Sequence, residues 1–209
     1  MAKWEEIRHQ VAISGKVTDS ATGKGLKQVR IEIVDAPPVF LDMITIQKAI
    51  QVEKWETLRS RPDRVFTAPD GHFHFMDLPD GEYTLEAVFP EAMRRYGSVR
   101  QTVTVSRTPG GNIHMAVADM VLPSSAIHGK VVRQGTTTPV GLAEVRVIGS
   151  GEVTHTNNAG EYCLSGLETS ATSHRPLSIS ATGYQDKTAN VLLAAPGDEV
   201  TLDIELTPV

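Results

Sequence analysis

The chain has 209 residues, 40% of them hydrophobic and 22% charged, a composition typical of a globular protein with one large core or two small ones. Its net charge of −5 gives no reason to expect a nucleic-acid partner, and its single cysteine excludes an intrachain disulfide framework. Since the N-terminus lacks a signal-peptide pattern and no stretch reaches the ~20 apolar residues of a membrane span, we expect a cytoplasmic protein or a subunit of an intracellularly assembled particle.

The first half of the chain shows the period of β-strands. Residues 1–10 form an N-terminal extension ahead of the first predicted strand. Residues 29–33 then alternate apolar with charged side chains, and residues 72–75 alternate histidine with phenylalanine. Such alternation is typical of strands with one buried and one exposed face, and Gly-rich turns separate the segments. We therefore predict a β-sandwich over residues 11–123.

One segment, at about residues 36–64, interrupts this pattern. It contains no glycine and is rich in long side chains. We predict that it is mainly helical, because prolines 37 and 38 suit a helix start, basic side chains crowd its end and Pro62 stops it. A β-hairpin arm is the alternative, because branched apolar side chains also alternate from Ile44 to Val52.

The apolar residues of this predicted helix fall on two stripes of the helical wheel. One stripe has Val39, Met43, Ile46 and Ile50, and the other has Phe40, Ile44, Val52, Trp55 and Leu58. A surface helix needs only one apolar face, so we predict that one stripe packs on the sandwich and the other contacts a protein partner. Trp55 is the expected anchor. The predicted interaction residues are Phe40, Ile44, Val52, Trp55, Leu58, Arg59 and Arg61. The alternative is that the segment only caps its own sandwich.

The second half of the chain repeats the first. Four blocks match in the same order: 13–34 with 127–150, 67–78 with 156–167, 83–87 with 177–181, and 118–122 with 202–206. In the first block a two-residue slip places Val29 opposite Val145. Residues 123–125 are the natural linker, and we predict a second β-sandwich over residues 124–209.

Both copies carry the same short motifs. A first strand Ile-x-Gly-Lys-Val lies at 13–17 and 127–131, Gly-x-Phe or Gly-x-Tyr follows a turn at 71–73 and 160–162, and the second copy adds Gly-Tyr at 183–184. These motifs resemble the carboxypeptidase regulatory-like domains, which have a transthyretin (prealbumin)-like sandwich. The resemblance implies an all-β chain of two tandem prealbumin-like, Ig-like Greek-key β-sandwiches, the first with the insertion. It also implies an accessory role.

Few residues indicate chemistry at a site. His72 and His74 are weak metal candidates, because a His-x-His pair on a strand places both imidazoles on one face, but further ligands are missing. Cys163 lies in a predicted strand without a histidine placed by a recognisable motif, so we predict that it is inert. No nucleophile or phosphate-binding motif is present. We therefore predict no metal, no cofactor and no enzymatic activity.

These observations favour a protein that works by contact with other proteins. We predict an adaptor, spacer or decorating subunit of a larger assembly, for which a phage-tail-like contractile injection particle is one setting by analogy. The predicted partners are proteins, without nucleic acid or a membrane span; the oligomeric state is not predicted. A carbohydrate-binding accessory module, stacking sugars on Trp4, Trp55 or Tyr96, is one alternative. A metal-dependent or hydrolytic enzyme on a transthyretin-like sandwich is the other.

Overall fold

A computed structural model describes residues 9–59 and 61–209, without the side chain of Glu53. The predicted N-terminal extension therefore lies mostly outside the described residues. In the described part nearly all regular structure is β-strand, with one α-helix and two short 3-10 helices, so the fold is all-β as the alternation predicts. The chain divides into two compact units. The first takes residues up to Asp19, Gly23–Pro90 and Ser98–Leu122, and the second takes Ser20–Thr22, Glu91–Gly97 and Pro123–Val209.

The first unit consists of two sheets. Its strands are β1 (Val11–Asp19), β2 (Arg30–Asp35), β3 (Arg64–Phe66), β4 (His72–Met76), β5 (Gly81–Val88), β6 (Val99–Arg107), β7 (Ile113–His114), β8 (Ala116–Val117) and β9 (Met120–Leu122). One sheet has the order β4-β1-β8, with β9 also paired to β1, and the other has the order β3-β2-β5-β6-β7. The edge strands β3 and β4 are consecutive in the chain, so both sheets end on the same side of the unit.

Alternate side chains of these strands fill the core of the first unit. On β4, Phe73 and Phe75 are buried while His72 and His74 are exposed, as their alternation predicts. Every second residue of β5 is buried in the same way, including Tyr83. Burial of one face of each sheet is the main source of stability in such a fold.

Residues 36–64 contain the α-helix. Helix α1 spans Pro38–Gln51 and is followed by a 3-10 helix at Val52–Thr57; the second 3-10 helix is Pro90–Ala92. The segment that alternates in sequence is thus helical rather than a β-arm. The α-helix nevertheless ends well before Pro62, because Val52 has a φ of 40° and cannot continue the α-helical ladder. No helix in the described part of the chain is long and apolar enough to cross a membrane.

The second unit also has two sheets. Its strands are β10 (Ala126–Arg133), β11 (Glu144–Val147), β12 (Val153–His155), β13 (Glu161–Leu164), β14 (Arg175–Ser180), β15 (Lys187–Val191), β16 (Glu199–Thr201) and β17 (Ile204–Leu206). One sheet has the order β13-β10-β16, with β17 also paired to β10, and the other has the order β12-β11-β14-β15. The strand orders of the two units correspond, except that the first unit has the additional strand β7.

Matched hydrogen bonds show which residues of the two units are equivalent. Thr67 Oγ1 accepts a hydrogen bond from Val29 N–H at 2.9 Å, and Thr156 Oγ1 accepts one from Ala143 N–H at 2.9 Å. Val29 is therefore equivalent to Ala143, and the sequence alignment that placed it opposite Val145 was wrong by two residues. Because side chains alternate with a period of two, a two-residue slip keeps every side chain on the correct face and leaves no trace in the pattern.

The same correction applies to β5 and β14. Ile33 of β2 pairs with Leu85, and its equivalent in β11, Val147, pairs with Leu177. Tyr83 is therefore equivalent to Arg175, whereas the sequence alignment placed it opposite Leu177. The other two blocks of the repeat keep the register predicted from sequence. The turn hydrogen bonds after β3 and β12 match residue for residue, and so do the contacts of the last strands.

Each unit joins its first strand to its last by a close backbone approach. A Cβ atom on Gly15 would lie 2.0 Å from Ala118 O, and one on Gly129 would lie 2.1 Å from Leu202 O. Only glycine leaves room for these carbonyl groups. The last strand breaks at this point into β8 and β9 in the first unit and into β16 and β17 in the second.

An aspartate side chain accepts a hydrogen bond from a backbone N–H group beside each break in the last strand. Asp119 Oδ1 accepts a hydrogen bond from Lys16 N–H at 2.9 Å, and Asp203 Oδ1 accepts one from Lys130 N–H at 2.8 Å. The carboxylate replaces the strand carbonyl that the break removes, so the amide stays paired. The two sheets therefore close by the same chemistry.

Candidate functional site

The largest difference between the units is the loop after β2 and β11. Ile33 N–H donates a hydrogen bond to Asp63 O at 2.9 Å, and Val147 N–H donates the equivalent one to Glu152 O at 3.0 Å. This bond closes a loop of residues 34–62 in the first unit but only of residues 148–151 in the second. Long loops in compact domains often carry function, so the longer loop is the candidate functional region of this chain.

The base of this insertion is fixed to the first unit by aromatic packing. Phe40 is buried, and its ring lies edge-on to that of Tyr83 with a centroid distance of 5.6 Å. Tyr83 O–H donates to Pro79 O at 2.8 Å, and burial raises the pKa of Tyr83 to about 12. Pro37 packs so closely on Gly81 that a Cβ there would lie 2.2 Å from its ring. These contacts hold the start of α1.

The rest of α1 lies largely in solvent. Described side chains from Thr45 to Lys54 are all exposed or half-buried. Three apolar side chains of one stripe are among the most exposed in the protein: Val39 at 69%, Ile46 at 61% and Ile50 at 75%. We call these three residues the exposed stripe. The described part of their own unit leaves this apolar surface exposed.

The helix ends in a strained turn at Val52. This residue has φ 40° and ψ −110°, a combination that type II′ turns reserve for glycine. Val52 is also 69% exposed, and with Ile50, Gln51 and Lys54 it lines a shallow groove of about 450 Å³. A branched side chain in such a backbone conformation costs of order 1–3 kcal/mol.

The end of the insertion is fixed by a buried arginine. The Arg61 guanidinium lies 4.8 Å from the centroid of the Trp55 ring. It also forms ion pairs with Glu32 at 2.7 Å, Asp63 at 2.9 Å and Glu56 at 3.3 Å. A guanidinium group that pairs with several carboxylates and stacks on an indole ring tolerates burial. An unpaired charge does not. Arg61 therefore holds Trp55 and β2 together.

The seven predicted interaction residues fall into three environments. Phe40, Trp55 and Arg61 are buried, Ile44 and Leu58 are half-buried, and Val52 and Arg59 are exposed. Trp55, the predicted anchor, packs under Arg61 within its own unit instead of facing solvent. Aromatic side chains bury the most area, so the stripe that carries both aromatics was the one to expect against the sandwich. Whether the seven residues contact a partner stays a prediction.

The predicted metal candidates lie on the exposed face of β4. His72 Nδ1 is 3.0 Å from Asp70 Oδ2, and the pKa of Asp70 is lowered, chiefly by a hydrogen bond from the His72 backbone N–H. His74 is exposed beside it, and Cys163 is exposed on β13. Within residues 9–59 and 61–209 no three histidine, cysteine or carboxylate side chains lie together as a metal site would need.

A cleft of about 790 Å³ opens between the edge strands β3 and β4. Its apolar lining includes Val65, Phe66, Phe73 and Phe75, and Arg59 lies at its rim. None of the described residues that line it is a carboxylate. Sequence reasoning missed this cleft, because the two edges meet only once both sheets have formed.

Comparison with known families identifies the domain type of the second unit. Residues 126–207 match the carboxypeptidase regulatory-like domain. This match lies within the second unit, and the resemblance predicted from its motifs is confirmed there. No curated protein matches the sequence.

Several solved structures are similar at low identity. The Bacillus anthracis TIE protein is 13% identical with a TM-score of 0.38; the match covers 95% of this chain and 34% of that one. A streptococcal ancillary pilin is 14% identical with a TM-score of 0.38, covering 98% and 63%. The shaft pilin SpaA of Lactobacillus rhamnosus GG is 11% identical with a TM-score of 0.40, covering 97% and 98%. The chain thus spans about a third of the length of the TIE protein.

Proposed function

We propose that this chain is a non-catalytic structural protein that acts through protein–protein contact, as an adaptor, spacer or decorating subunit of a larger assembly. The observation that carries the proposal is the exposed stripe on α1. Surface helices normally turn their apolar side toward their own core. Here Phe40 already occupies that side, and a second apolar stripe faces water. Such a surface is typical of a region that a partner covers.

The proposal includes two tandem prealbumin-like domains, over residues 11–123 and 124–209, with a mainly helical insertion at about 36–64 in the first. Its support is the set of matched hydrogen bonds, which recur in the same order in both units. Each domain supplies a sandwich scaffold, and the insertion is the main difference between the two domains. Docking through the insertion is proposed to use the exposed stripe together with Val52.

The wider setting stays a prediction. A phage-tail-like contractile injection particle, and with it an intracellular place of assembly, rests on analogy between small sandwich subunits. For the carbohydrate-binding alternative, Trp55 is buried and Tyr96 is half-buried, while Trp4 lies outside the described residues. No observation therefore favours sugar stacking over protein contact.

The experiment compares three forms of the protein in affinity capture from the native source. The first is the unaltered chain, the second carries Ile46→Lys with Ile50→Lys, and the third carries Leu142→Lys as a control. Leu142 is 78% exposed in the second unit, so the control adds charge at an apolar surface site elsewhere. We expect at least one protein that the unaltered chain and the control capture equally and that the double variant loses about tenfold or more.

Circular dichroism must show the same β-content in all three forms. If the double variant folds and captures the same proteins in the same amounts as the unaltered chain, the insertion does not dock a partner. A fourth form, with residues 34–62 replaced by the sequence of residues 148–151, addresses the capping alternative. If that form fails to fold although the double lysine variant folds and binds normally, the insertion serves only to cap its own unit.

A further inference from the structure

The cleft beside β4 is bordered by unpaired backbone groups. Within residues 9–59 and 61–209, β4 pairs with no strand other than β1, so no described strand covers its other edge. In an antiparallel pair, alternate residues direct their N–H and C=O groups toward the partner strand and away from it. Val17 N–H donates to Gly71 O, which fixes this alternation. The N–H and C=O groups of His74 and Met76 therefore face away from β1 along the cleft.

The opposite wall, β3, likewise pairs with no described strand other than β2. Thr67 N–H donates to Val29 O, so the amide groups of Arg64 and Phe66 point away from β2. Those of Arg64 are already paired with the backbone of Arg61. Those of Phe66 have no recorded partner among the described residues. The cleft thus combines an apolar lining with backbone donors and acceptors on two sides, which is what an added strand needs.

The charges of the cleft select for an acidic ligand. The Arg59 guanidinium lies 5.7 Å from the centroid of the Phe66 ring and donates to the Gln28 side-chain carbonyl. No carboxylate in the described part of the chain forms an ion pair with it. Of the two histidines at the rim, His72 already has Asp70 as its neighbour. Arg59 is therefore a fixed positive charge at the mouth of an apolar cleft.

We propose that this cleft binds an extended, acidic segment of a protein partner as an additional β-strand paired with β4. Apolar side chains of that segment enter the cleft against Phe66, Phe73 and Phe75. An acidic side chain pairs with Arg59. This site is separate from the exposed stripe, so either proposal can fail without the other.

The second unit supplies the contrast that makes the assignment specific. At the positions of His72 and His74 it has Glu161 and Cys163, and His155 stands at the position of Phe66. Glu161 bears a negative charge paired with Lys130 at 3.1 Å. The equivalent edge of the second unit therefore keeps one aromatic residue, Tyr162, in place of three, and it carries a carboxylate that does not favour an acidic segment.

The test uses two fluorescent peptides with the same strand pattern, one of alternating glutamate and valine and one of alternating lysine and valine. Fluorescence polarisation measures binding, and amide NMR maps it. We expect the acidic peptide to bind at least about tenfold more tightly than the basic one, with shifts at the amides of His74, Met76 and Phe66.

Two variants with matched controls test the geometry. His74→Pro removes one outward N–H, which an edge strand tolerates, and Cys163→Pro makes the same change on the equivalent edge β13. Arg59→Glu reverses the rim charge, and Arg133→Glu does so at an exposed site of the second unit. We expect His74→Pro to abolish binding and Arg59→Glu to weaken it about tenfold, with both controls unchanged. If His74→Pro does not fold, Arg59→Glu and the peptide pair decide.

Four results of the peptide experiments overturn the proposal. They are failure of both peptides to bind, equal binding of both, binding that survives the His74 and Arg59 changes, and amide shifts confined to the second unit. Self-association through β4, seen as a dimer that His74→Pro abolishes while the acidic peptide does not compete, also overturns it and identifies a second copy as the occupant.

Discussion

The two units use the same scaffold to present very different loops. Both close the loop after the second strand with one equivalent backbone hydrogen bond, from Ile33 to Asp63 and from Val147 to Glu152. The segment between these residues differs most, since it spans residues 34–62 in the first unit and residues 148–151 in the second. The entropic cost of closing a loop rises slowly, by about 0.6 kcal/mol for each doubling of length. The scaffold can therefore carry a long insertion with little change in its own strands.

The insertion is nevertheless accompanied by changes in the scaffold beneath it. Tyr83, which packs on Phe40, stands where the second unit has Arg175, and Glu32, which binds Arg61, stands where it has Arg146. A polar side chain at the first position and a positive charge at the second would leave these contacts unmade. A docked helix therefore needs its own aromatic and ionic support from the strands beneath it.

Each unit depends on the close approach of its first strand to its last strand. Loss of this contact should lower the free energy of unfolding more than any other change considered. Gly15→Ala places a methyl group where Ala118 O lies, so the first sheet must open. We expect a loss of about 3–5 kcal/mol in the free energy of unfolding of the first unit. Gly129→Ala should do the same to the second unit. Urea titration, followed on resolved amide NMR signals of each unit, measures both free energies of unfolding. If either variant loses less than about 1 kcal/mol, the two glycine contacts are not equivalent.

Removal of the Arg61 fork should affect only the first unit. Arg61→Ala leaves Glu32 and Asp63 without their main partner and uncovers Trp55. We expect a loss of about 2–4 kcal/mol and a red shift of tryptophan fluorescence. Arg61→Lys should recover part of the loss, because a lysine keeps the charge but not the fork or the stacking. Arg133→Ala is the exposed control in the second unit, and a loss as large as that of Arg61→Ala would contradict this role.

Alkaline pH should weaken the first unit through Tyr83. Its pKa is about 12 when folded and 10.0 in the unshifted state, so the folded protein keeps this proton longer than the unfolded chain. The resulting stability is complete below pH 10 and disappears as the pH rises toward 12. Tyr83→Phe should abolish this fall, at a cost of about 1 kcal/mol near neutral pH for the lost hydrogen bond to Pro79. Unfolding free energies measured from pH 8 to 11.5 test this expectation.

Tyr162 offers the matching measurement in the second unit. Burial raises its pKa as well. Tyr162→Phe should therefore remove the alkaline fall of the second unit while leaving that of the first. An alkaline transition of the first unit that persists in Tyr83→Phe would show that another group is responsible.

The smallest expected effect is a gain. Val52→Gly relieves the positive φ at the end of α1 and should stabilise the first unit by about 0.5–1 kcal/mol. Val39→Gly, in the first turn of the same helix, should instead destabilise it by up to about 1 kcal/mol. Urea titration of the two variants should give changes of opposite sign, and a loss in both would mean that Val52 is not strained.

Local patterns predicted much of this fold from sequence, and non-local contacts account for what they missed. Alternation on β4 gave the buried and exposed residues correctly, and the turn and glycine blocks aligned in the correct register. The slip at Val29 escaped notice because a shift of two residues preserves alternation. The end of α1 could not be predicted, because no local rule places valine in a left-handed conformation.

The candidate sites depended even more on distant residues. Burial of Trp55 requires Arg61, which in turn requires Glu32 on β2, and none of these contacts has a sequence signature. The cleft requires two edge strands from different sheets. What sequence did establish was the position of the insertion and the presence of two apolar stripes. The burial of Phe40 and Trp55 shows that the aromatic stripe is the one that faces the core.

The exposed end of α1 also makes the first unit a natural substrate for proteases. Lys48 and Lys54 lie in the part of the insertion that its own unit leaves exposed. Cleavage by trypsin there would break the backbone into two fragments. Strands β2 and β3, which pair on either side of the insertion, would hold these fragments together. Any partner that covers the exposed stripe would shield both lysines. The rate of nicking is therefore a label-free measure of whether the stripe is occupied.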